Sequence, residues 1–594
     1  MFFSSREEIP KQEKWNFSDL YESTTEWEQD LQQSLKLAET LKSYDNNISN
    51  AQTLFEFLTT QEELSFIFKK VYVYAMLHVD VDTRDTGSQA LLDRAKQVSV
   101  KINSATSFFM PFLLSLKEET LKGYIAEVAG LQYFEDDLFE SYRYKKNVLA
   151  KEQEEVLSQL GETLSSPSHT FSMMNNADIK FGMVTNERGE EVELTRGMYA
   201  KLIEDENRMK RKEAYKAYYK PYIQMQNTIA STLASAIKTN VTLSKMRHYP
   251  SALHKALFSD NVPTDVYSTL IKTTNDHLEP LHRYVDLRKK WLEVDELRAY
   301  DLNAPLVEGV KLEIPYDEAY KKMLESLTPL GDEYVNILKS FKEKRYLDVW
   351  ETPGKRSGAY NIGVYGVHPF ILLNHRNDID SLFTLTHECG HGMHSYYSST
   401  YQPQISAGYS IFVAEVASTV NEVLLIRHML KTTNDKNMKK YLLNHFIDSF
   451  KGTFFTQVMF SEFEKTTHEK VEDGEPLNVH VFNETYEAIF KKYHGDTLVL
   501  DEEVKYGWSR IPHFYRPFYV YKYATGFASA VSVADKLLEG EEKTREQYLA
   551  FLKAGSSDYP LELLKATGVD LTKPDTIKHA LSLFDSLVDD FAKL

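Results

Sequence analysis

The chain has 594 residues, with 69 Lys and Arg against 87 Asp and Glu, which gives a formal net charge of −18. This acidic excess argues against nucleic acid or an anionic membrane as the main partner, and no run approaches the roughly 20 apolar residues that a membrane span needs. The first ten residues lack a secretory signal pattern and the single cysteine, Cys389, fits a reducing compartment, so we expect a cytoplasmic protein.

Helical patterns dominate the N-terminal part of the chain. Ser23 and Glu26 have the spacing of a capping box, which marks the start of a helix. Apolar residues then recur at helical spacing and are interpreted as core: Trp27, Leu31, Leu35, Ala38 and Leu41 in one stretch, and Leu64, Ile67, Val71 and Tyr74 in another. Because the chain shows no repeat, linker or low-complexity tract, we expect one large body with an accessory N-terminal part.

A weak boundary signal and a hairpin signal follow. The stretch Ser165-Ser166-Pro167-Ser168 predicts a boundary between an N-terminal helical domain at 1–165 and a second domain at 166–594, which carries the HExxH sequence described below. Strand-forming residues at 179–184 and 191–194 flank a turn at 186–189 and predict a β-hairpin.

A second strand region lies at 358–374 and includes Gly358, Ala359, Tyr360 and Pro369. Glycine allows close backbone approach, and proline suits an edge strand because it cannot donate to a central ladder. An edge strand can bind an extended peptide through main-chain hydrogen bonds. The alternative is an ordinary small sheet packed under helices.

Residues 387–391 read His-Glu-Cys-Gly-His, an HExxH sequence. A helix places residues four apart on one face, so His387 and His391 can reach one metal ion, with Glu388 as a general base. The run from Asp380 begins with a capping residue and contains no proline, which places both histidines inside a helix. Cys389 points to the opposite side and is interpreted as packing. Two histidines on a core or solvent face remain the alternative.

A third ligand would support the metal site. The metzincin arrangement is excluded, because Tyr397 stands where its third histidine is required. The other common arrangement takes a glutamate from a second helix, and Glu415 and Glu422 are the only ionisable residues between Ile411 and Ile426. Because that helix is apolar nearly all round, we expect it and its carboxylates to be buried, with one glutamate binding metal and the other orienting a histidine.

An aromatic segment near the C-terminus contains His513, Tyr515, Tyr519 and Tyr523. The tyrosines are four apart, which predicts one face of a helix, and such a stripe is often core packing. The alternative is catalytic, because a peptide hydrolase needs neutral donors for the oxyanion of its tetrahedral intermediate.

These motifs resemble those of oligoendopeptidase F, a member of the thimet-oligopeptidase-like zinc metallopeptidases. The resemblance rests on the HECGH sequence, on Phe412-Val413-Ala414-Glu415 with Asn421-Glu422, on the stretch 508–526 and on Lys14-Trp15-Asn16-Phe17-Ser18-Asp19-Leu20-Tyr21. It therefore spans almost the whole chain.

The resemblance implies a mainly α fold, a large helical bowl with a deep central channel and a small β-sheet beside the HExxH helix. It implies one Zn²⁺ per chain, and short unstructured peptides as substrates, cut at internal bonds. The roles that it implies are listed by group: zinc ligands His387, His391 and Glu415; general base Glu388; oxyanion donors His513, Tyr519 and Tyr523; supporting residues His394 and Glu422; and substrate contacts Gly358, Ala359, Tyr360, Gly408, Tyr409 and Tyr515.

Two other functions stay open on the sequence. A zinc exopeptidase on the same scaffold would need a charged anchor for a substrate terminus, and Arg510 or Arg516 is a candidate. A non-catalytic peptide-binding protein would leave Glu388, His513 and Tyr523 unexplained. The oligomeric state is left open.

Overall fold

The structure is a computed structural model that describes residues 3–186, 189–307 and 312–594. Met1, Phe2, residues 308–311 and the predicted turn residues Glu187 and Arg188 lie outside the described residues. Most of the described chain is helical and its sheets are small, which confirms a mainly α fold. None of the helices in the described ranges is both long and apolar enough to cross a membrane. The cytoplasmic location, the bowl and the channel stay predictions.

The α-helices are numbered in chain order. The first twelve are α1 (Thr24–Lys42), α2 (Ala51–Val81), α3 (Thr86–Thr106), α4 (Phe109–Ser115), α5 (Glu118–Glu127), α6 (Glu135–Tyr142), α7 (Lys151–Gln159), α8 (Gly161–Met173), α9 (Arg196–Leu202), α10 (Arg208–Gln224), α11 (Gln226–Met246) and α12 (Ala252–Phe258). The others are α13 (Thr264–Asn275), α14 (Glu279–Trp291), α15 (Tyr316–Ser326), α16 (Asp332–Glu343), α17 (Ile379–Tyr401), α18 (Ile411–Thr432), α19 (Lys436–Ser449), α20 (Thr456–Glu472), α21 (Val479–His494), α22 (Tyr521–Leu538), α23 (Glu542–Lys553), α24 (Pro560–Ala566) and α25 (Asp575–Ala592).

The strands form three small sheets. They are β1 (Met183–Thr185), β2 (Glu191–Glu193), β3 (Leu297–Arg298), β4 (Leu347–Trp350), β5 (Tyr360–Gly363), β6 (Pro369–His375) and β7 (Leu498–Val499). Strands β1 and β2 pair antiparallel, which confirms the predicted hairpin, and β3 pairs with β7. The third sheet has the order β4-β6-β5, with β6 parallel to β4 and antiparallel to β5.

The chain divides into two compact units, each assembled from three segments. Unit 1 comprises residues 1–151, 312–425 and 533–568, and unit 2 comprises residues 152–311, 426–532 and 569–594. The domain boundary predicted after residue 165 stays a prediction. The stretch Ser165–Ser168 on which that prediction rests lies within α8. Packing of α8 along α11 compensates for the hydrogen bond that Pro167 cannot donate.

The core of unit 1 begins with α1, α2 and α3, which pack on one another. The predicted stripes lie in this core: Trp27, Leu31, Ala38, Leu41, Leu64, Val71 and Tyr74 are buried. Ser23 caps α1 by accepting a hydrogen bond from the Glu26 amide. The capping and periodicity signals are therefore confirmed.

The N-terminal segment is anchored to β4 in the same unit. Asp348 is fully buried and binds the side chains of Arg6 and Lys355, and it accepts a hydrogen bond from the Trp15 amide. Burial alone would raise the pKa of Asp348, but the two cations outweigh it and hold that pKa at about 2. The indole of Trp15 donates to the carbonyl of Tyr346. The motif at 14–21 thus joins the chain terminus to the sheet.

That sheet packs directly against α17 through β5 and β6, which confirms a small sheet beside the HExxH helix. Pro369 was expected on an edge strand, but it begins β6, the central strand. The first position of a strand tolerates proline because its missing N–H is not needed to continue the ladder. The edge strand on this side is β5.

Unit 2 is a helical body in which α20 packs on α11, α13 and α21, and α25 packs on α13, α14 and α19. Its core is rich in aromatic residues, with Tyr267 and Tyr284 fully buried. Phe584 of α25 contacts the rings of Phe450 and Phe455. Phe514, next to His513, packs on Phe460 and Phe463 of α20.

Candidate metal centre

The HExxH sequence lies in the middle of α17, as predicted. The capping residue is Asp378, whose carboxylate accepts a hydrogen bond from the Ser381 amide at 2.8 Å, rather than Asp380, which lies in the first turn. His387 and His391 therefore follow the cap by more than two turns, where helix geometry fixes their spacing.

A close helix crossing brings the third ligand to these histidines. A Cβ atom on Gly390 would lie only 2.7 Å from the carbonyl oxygen of Ala417 and 2.7 Å from the Cα of Ser418. Only glycine allows α17 and α18 to approach this closely. Because Glu415 precedes these contacts by less than one turn, the crossing places its carboxylate beside the histidines.

The three predicted ligands converge on a single point within unit 1. Oε2 of Glu415 lies 3.5 Å from Nε2 of His387 and 3.6 Å from Nε2 of His391. Donor atoms that surround a tetrahedral Zn²⁺ at about 2.0–2.1 Å are about 3.4 Å from one another. The two separations from Glu415 match that spacing, the donor types are those that zinc takes, and the three atoms lie within 4.8 Å of one another.

Two neighbours on α18 orient these ligands. Nδ1 of His387 lies 3.2 Å from Oε1 of Glu422, which leaves Nε2 directed towards Glu415. Although burial lowers the pKa of His387, Glu422 outweighs it and raises that pKa to about 9. The hydroxyl of Ser418 donates to Oε2 of Glu415 at 3.2 Å. A carboxylate behind a histidine is the usual arrangement for a metal ligand.

The expectation that both carboxylates are buried is wrong. The side chains of Glu415 and Glu422 are 31% and 33% exposed, although most of the other residues of α18 are buried. Solvent reaches the metal-binding side of the helix, so the charges keep part of their hydration. Such access is required for a catalytic metal, which keeps one position for water or substrate.

Glu388 lies next to the ligands and is buried. Burial raises the pKa of its carboxyl group to about 7, and Glu415 and Glu422 add to this effect. Its Oε2 is buried and has no hydrogen-bond partner among the described residues. This carboxyl group is thus prepared to exchange a proton with a bound molecule.

Two further residues of α17 are packed, Cys389 on the face away from the metal ligands and His394 on the ligand side, one turn after His391. Cys389 is fully buried and burial raises the pKa of its thiol, as expected for a packing role. His394 is also buried, and its ring stacks on Tyr409 with centroids 3.7 Å apart. The hydroxyl of Tyr409 shares a hydrogen bond with Ser395 and lies 3.5 Å from the carbonyl of His391. His394 therefore supports the metal helix through Tyr409, and Gly408 precedes this contact on an exposed turn.

The predicted substrate residues Gly358, Ala359 and Tyr360 lie at the start of β5. Gly358 and Ala359 precede the strand, and the carbonyl of Gly358 accepts a hydrogen bond from Asn374. Tyr360 begins the strand, but its hydroxyl donates to Asp80 on α2. The free edge of the sheet is therefore the backbone of 360–363.

The aromatic segment of unit 2 forms a ring cluster that is not a helical stripe. The rings of His513 and Tyr519 are parallel with centroids 6.0 Å apart, and Tyr523 lies edge-on to both at 6.2 and 5.5 Å. Burial and Arg516 lower the pKa of His513, which favours the neutral imidazole. Tyr515 points elsewhere: its ring stacks on Phe171 and its hydroxyl bonds to Thr232.

The predicted helix over this segment is wrong because the chain turns at Phe518, which has a φ of 53°. Residues 512–515 form a short 3₁₀ helix and α22 begins only at Tyr521. The buried carboxyl group of Glu464 accepts a hydrogen bond from the Phe518 amide and stabilises this turn. The turn groups Tyr519 and Tyr523 with His513.

Four residues of unit 1 contribute to the site without having been predicted. Gly390 permits the helix crossing, Ser418 binds Glu415, and Ser395 and Asn361 line the space beside Tyr409. Small residues at positions 390 and 418 are a signal for close helix packing. The other two carry no pattern in the sequence, because they become neighbours only through the sheet.

Comparison with known proteins agrees with this geometry. The sequence profile of Peptidase family M3 matches residues 201–583, and that of Oligopeptidase F matches residues 113–181. The chain is 41% identical to Oligopeptidase PepF of Bacillus subtilis, over 99% of this chain and 88% of that protein. It is 39% identical to the plasmid-encoded oligoendopeptidase F of Lactococcus lactis subsp. cremoris, over 99% of this chain and 98% of that protein.

A solved structure gives the same result. Oligoendopeptidase-F from Enterococcus faecium superposes with a TM-score of 0.75 at 36% identity, over 96% of this chain and 98% of that chain. Metallopeptidase chemistry agrees with the His-His-Glu donor set. The chain therefore belongs to peptidase family M3, in its oligoendopeptidase F group, and is a metalloendopeptidase that acts on oligopeptides.

Proposed function

We propose that this metalloendopeptidase holds one Zn²⁺ per chain through His387, His391 and Glu415 and cuts internal bonds of short unstructured peptides. The observation that carries the proposal is the convergence of two imidazole nitrogens and one carboxylate oxygen at 3.5 and 3.6 Å. Two nitrogen ligands and one oxygen ligand suit zinc, and the partial exposure of Glu415 is consistent with an open fourth position.

When bound by His387, His391 and Glu415, the ion would supply Lewis acidity to activate the attacking water and to polarise the scissile carbonyl. Glu388 takes the proton from the attacking water and later delivers it to the leaving amine. Burial supports this role, because it raises the pKa of Glu388 to about 7, where a carboxyl group both accepts and releases protons. Glu422 holds His387 in the tautomer that presents Nε2.

The residues that we assign to stabilising the oxyanion are neutral donors. His513, Tyr519 and Tyr523 form one ring cluster, and the lowered pKa of His513 keeps its imidazole neutral. Imidazole N–H and phenol O–H groups are suitable oxyanion donors. Tyr515 is assigned to packing, because its ring and hydroxyl already have partners on α8 and α11.

The substrate binds along the edge of β5. Main-chain hydrogen bonds to residues 360–363 would hold an extended peptide without strong sequence preference, and only an unstructured segment can adopt that conformation. Gly408 and Tyr409 border the same space as the C-terminal half of this strand. Gly358 and Ala359 contribute backbone only, just before the strand.

The exopeptidase alternative has less support. Arg510 is half-buried and its guanidinium donates a hydrogen bond to the hydroxyl of Tyr219, so it is not a free anchor. Arg516 lies over the ring of Tyr519, 4.1 Å from its centroid. A dedicated anchor would be directed at a substrate terminus rather than at a tyrosine ring.

The test uses a peptide of about ten residues that is acetylated and amidated, with the products identified by mass spectrometry. We expect cleavage at an internal bond by the zinc-loaded protein and none by Glu388→Gln, which should still bind zinc. Products that arise only from peptides with a free terminus would support the exopeptidase. Equal activity of Glu388→Gln would contradict the assigned mechanism.

A further inference from the structure

A cavity beside the metal helix continues the space that Gly408, Tyr409 and β5 border, and its side towards α2 has no role in the mechanism above. It has a volume of about 380 Å³ and lies within unit 1, between α2, the end of β5 and the segment that follows α17. Much of its wall is polar and uncharged, formed by Ser65, Asn361, Ser395, Ser399 and Gln404. One cationic side chain, Lys69 of α2, completes it.

Lys69 has no acidic partner among the residues that the structure describes. The neighbouring turns of α2 do not supply one, because the residues three and four positions from Lys69 are Ser65, Phe66, Tyr72 and Val73. The side chain reaches solvent within the cavity, yet the surrounding protein removes enough water to lower the pKa of its ammonium group. An exposed ammonium group without an ion pair can bind an anion without first losing another partner, and partial removal of water strengthens the attraction.

The same cavity contains an unused acceptor. Nδ2 of Asn361 donates to Ser395 at 2.9 Å, whereas its Oδ1 is buried and has no hydrogen-bond partner among the described residues. Asn361 lies in the middle of β5, the edge strand that we assign to the substrate. A cation and a nearby acceptor together match a peptide segment that carries a carboxylate and a backbone N–H.

We propose that this cavity is a subsite for a carboxylate of the peptide substrate, with Lys69 as its cationic anchor. The inference rests on the proposed function, because it requires a peptide to lie along β5. Ser395 and Ser399 follow His391 by four and eight residues of α17. At 1.5 Å per residue of helix the cavity is therefore about 6–12 Å along α17 from His391. An extended peptide covers that distance in about two to four residues, so the carboxylate lies that far from the cut bond.

Two sources can supply this carboxylate: the C-terminus of a short peptide or an acidic side chain. Three types of acetylated peptide, all based on one sequence, distinguish these two sources. The reference peptide has no charged group and ends in an amide. The second peptide differs from it only by a free C-terminal carboxylate. The peptides of the third type keep the amide, and each replaces one Gln within four residues of the cut bond by Glu. KM and kcat are measured for each with the zinc-loaded full chain.

The enzymes compared are the wild type, Lys69→Met, Lys69→Arg and the control Lys101→Met, which removes an exposed lysine of α3. If Lys69 pairs with the carboxylate, the wild type should have a lower KM for at least one carboxylate peptide than for the reference peptide. The expected difference is about five- to tenfold. Lys69→Met should abolish that difference and leave kcat and the reference peptide unchanged. Lys69→Arg should keep most of this difference in KM, and Lys101→Met should keep all of it.

The outcome assigns the source directly. Preference for the free terminus alone identifies the C-terminal carboxylate, and preference for one Glu position alone identifies a side-chain subsite. The proposal is overturned if the wild type shows no preference, if the preference survives in Lys69→Met, or if Lys69→Met weakens all peptides equally. Failure of the wild type to cut even the reference peptide would instead contradict the proposed function.

Discussion

Replacing Gly390 by alanine tests how two helices assemble the metal centre. The new Cβ would lie 2.7 Å from the carbonyl oxygen of Ala417 and from the Cα of Ser418, whereas ordinary contacts begin at 3.4 Å. Both obstacles are backbone atoms, so a rotamer change cannot relieve them. Helices α17 and α18 must therefore separate by at least about 0.7 Å, from the difference between these distances.

That separation has different consequences for metal binding and for stability. Ligand distances must hold within about 0.2 Å, so moving Glu415 away from the histidines should weaken zinc binding by about 10- to 100-fold. Overpacking lowers the free energy of unfolding by about 1–3 kcal/mol, and the higher helix propensity of alanine offsets up to about 1 kcal/mol of this loss. The metal-free protein should therefore lose only about 0–2 kcal/mol of its free energy of unfolding.

Zinc affinity is measured by competition with a chromophoric chelator, and stability by urea unfolding of the metal-free protein. Gly123→Ala is the matched control, because a Cβ on Gly123 in α5 meets nothing within 4 Å. It should be slightly stabilised and bind zinc normally. Wild-type zinc affinity in Gly390→Ala would refute the argument that this crossing sets the ligand geometry.

Three further results are expected. Glu422→Gln should weaken zinc binding about 10- to 100-fold, because it removes the charged partner of His387 at 3.2 Å; an unchanged affinity in the same chelator competition would contradict this. Tyr519→Phe should lower kcat by about 10²–10³ with little change in KM, whereas Tyr515→Phe should keep kcat and lose about 1 kcal/mol of stability in urea. Asp348→Asn should cost about 2–3 kcal/mol at pH 7, because a pKa of about 2 in the folded chain lies below about 3.9 in the unfolded chain. This contribution is complete above about pH 4 and is lost as the pH falls towards 2, so the urea midpoints of Asp348→Asn and the wild type should converge over that range.

The parts of the site that follow helix periodicity were predictable from the sequence. The i, i+4 spacing fixes His387 and His391 on one face of α17, and the isolated carboxylates of an apolar helix indicated Glu415 and Glu422. The structure confirms that these side chains meet. Their partial exposure was not predictable, because periodicity describes how a helix is patterned and not which part of it borders an open space.

Other features depend on backbone geometry that no local pattern encodes. A φ of 53° at Phe518 breaks the regular spacing of the tyrosines and separates Tyr515 from the ring cluster. The place of Pro369 in a central strand depends on which strands pair, and the location of Lys69 beside β5 depends on contacts between distant segments. Such long-range pairings are set by the whole fold and not by neighbouring residues.

Zinc titration into metal-free protein tests the central claim most directly. Cleavage of a blocked oligopeptide at an internal bond should be absent without metal and should rise to its maximum at one zinc per chain. Glu415→Gln should require far more zinc for any activity, because one of the three ligands is lost. Full cleavage by the metal-free protein, or an unchanged titration in Glu415→Gln, would contradict a zinc centre formed by His387, His391 and Glu415.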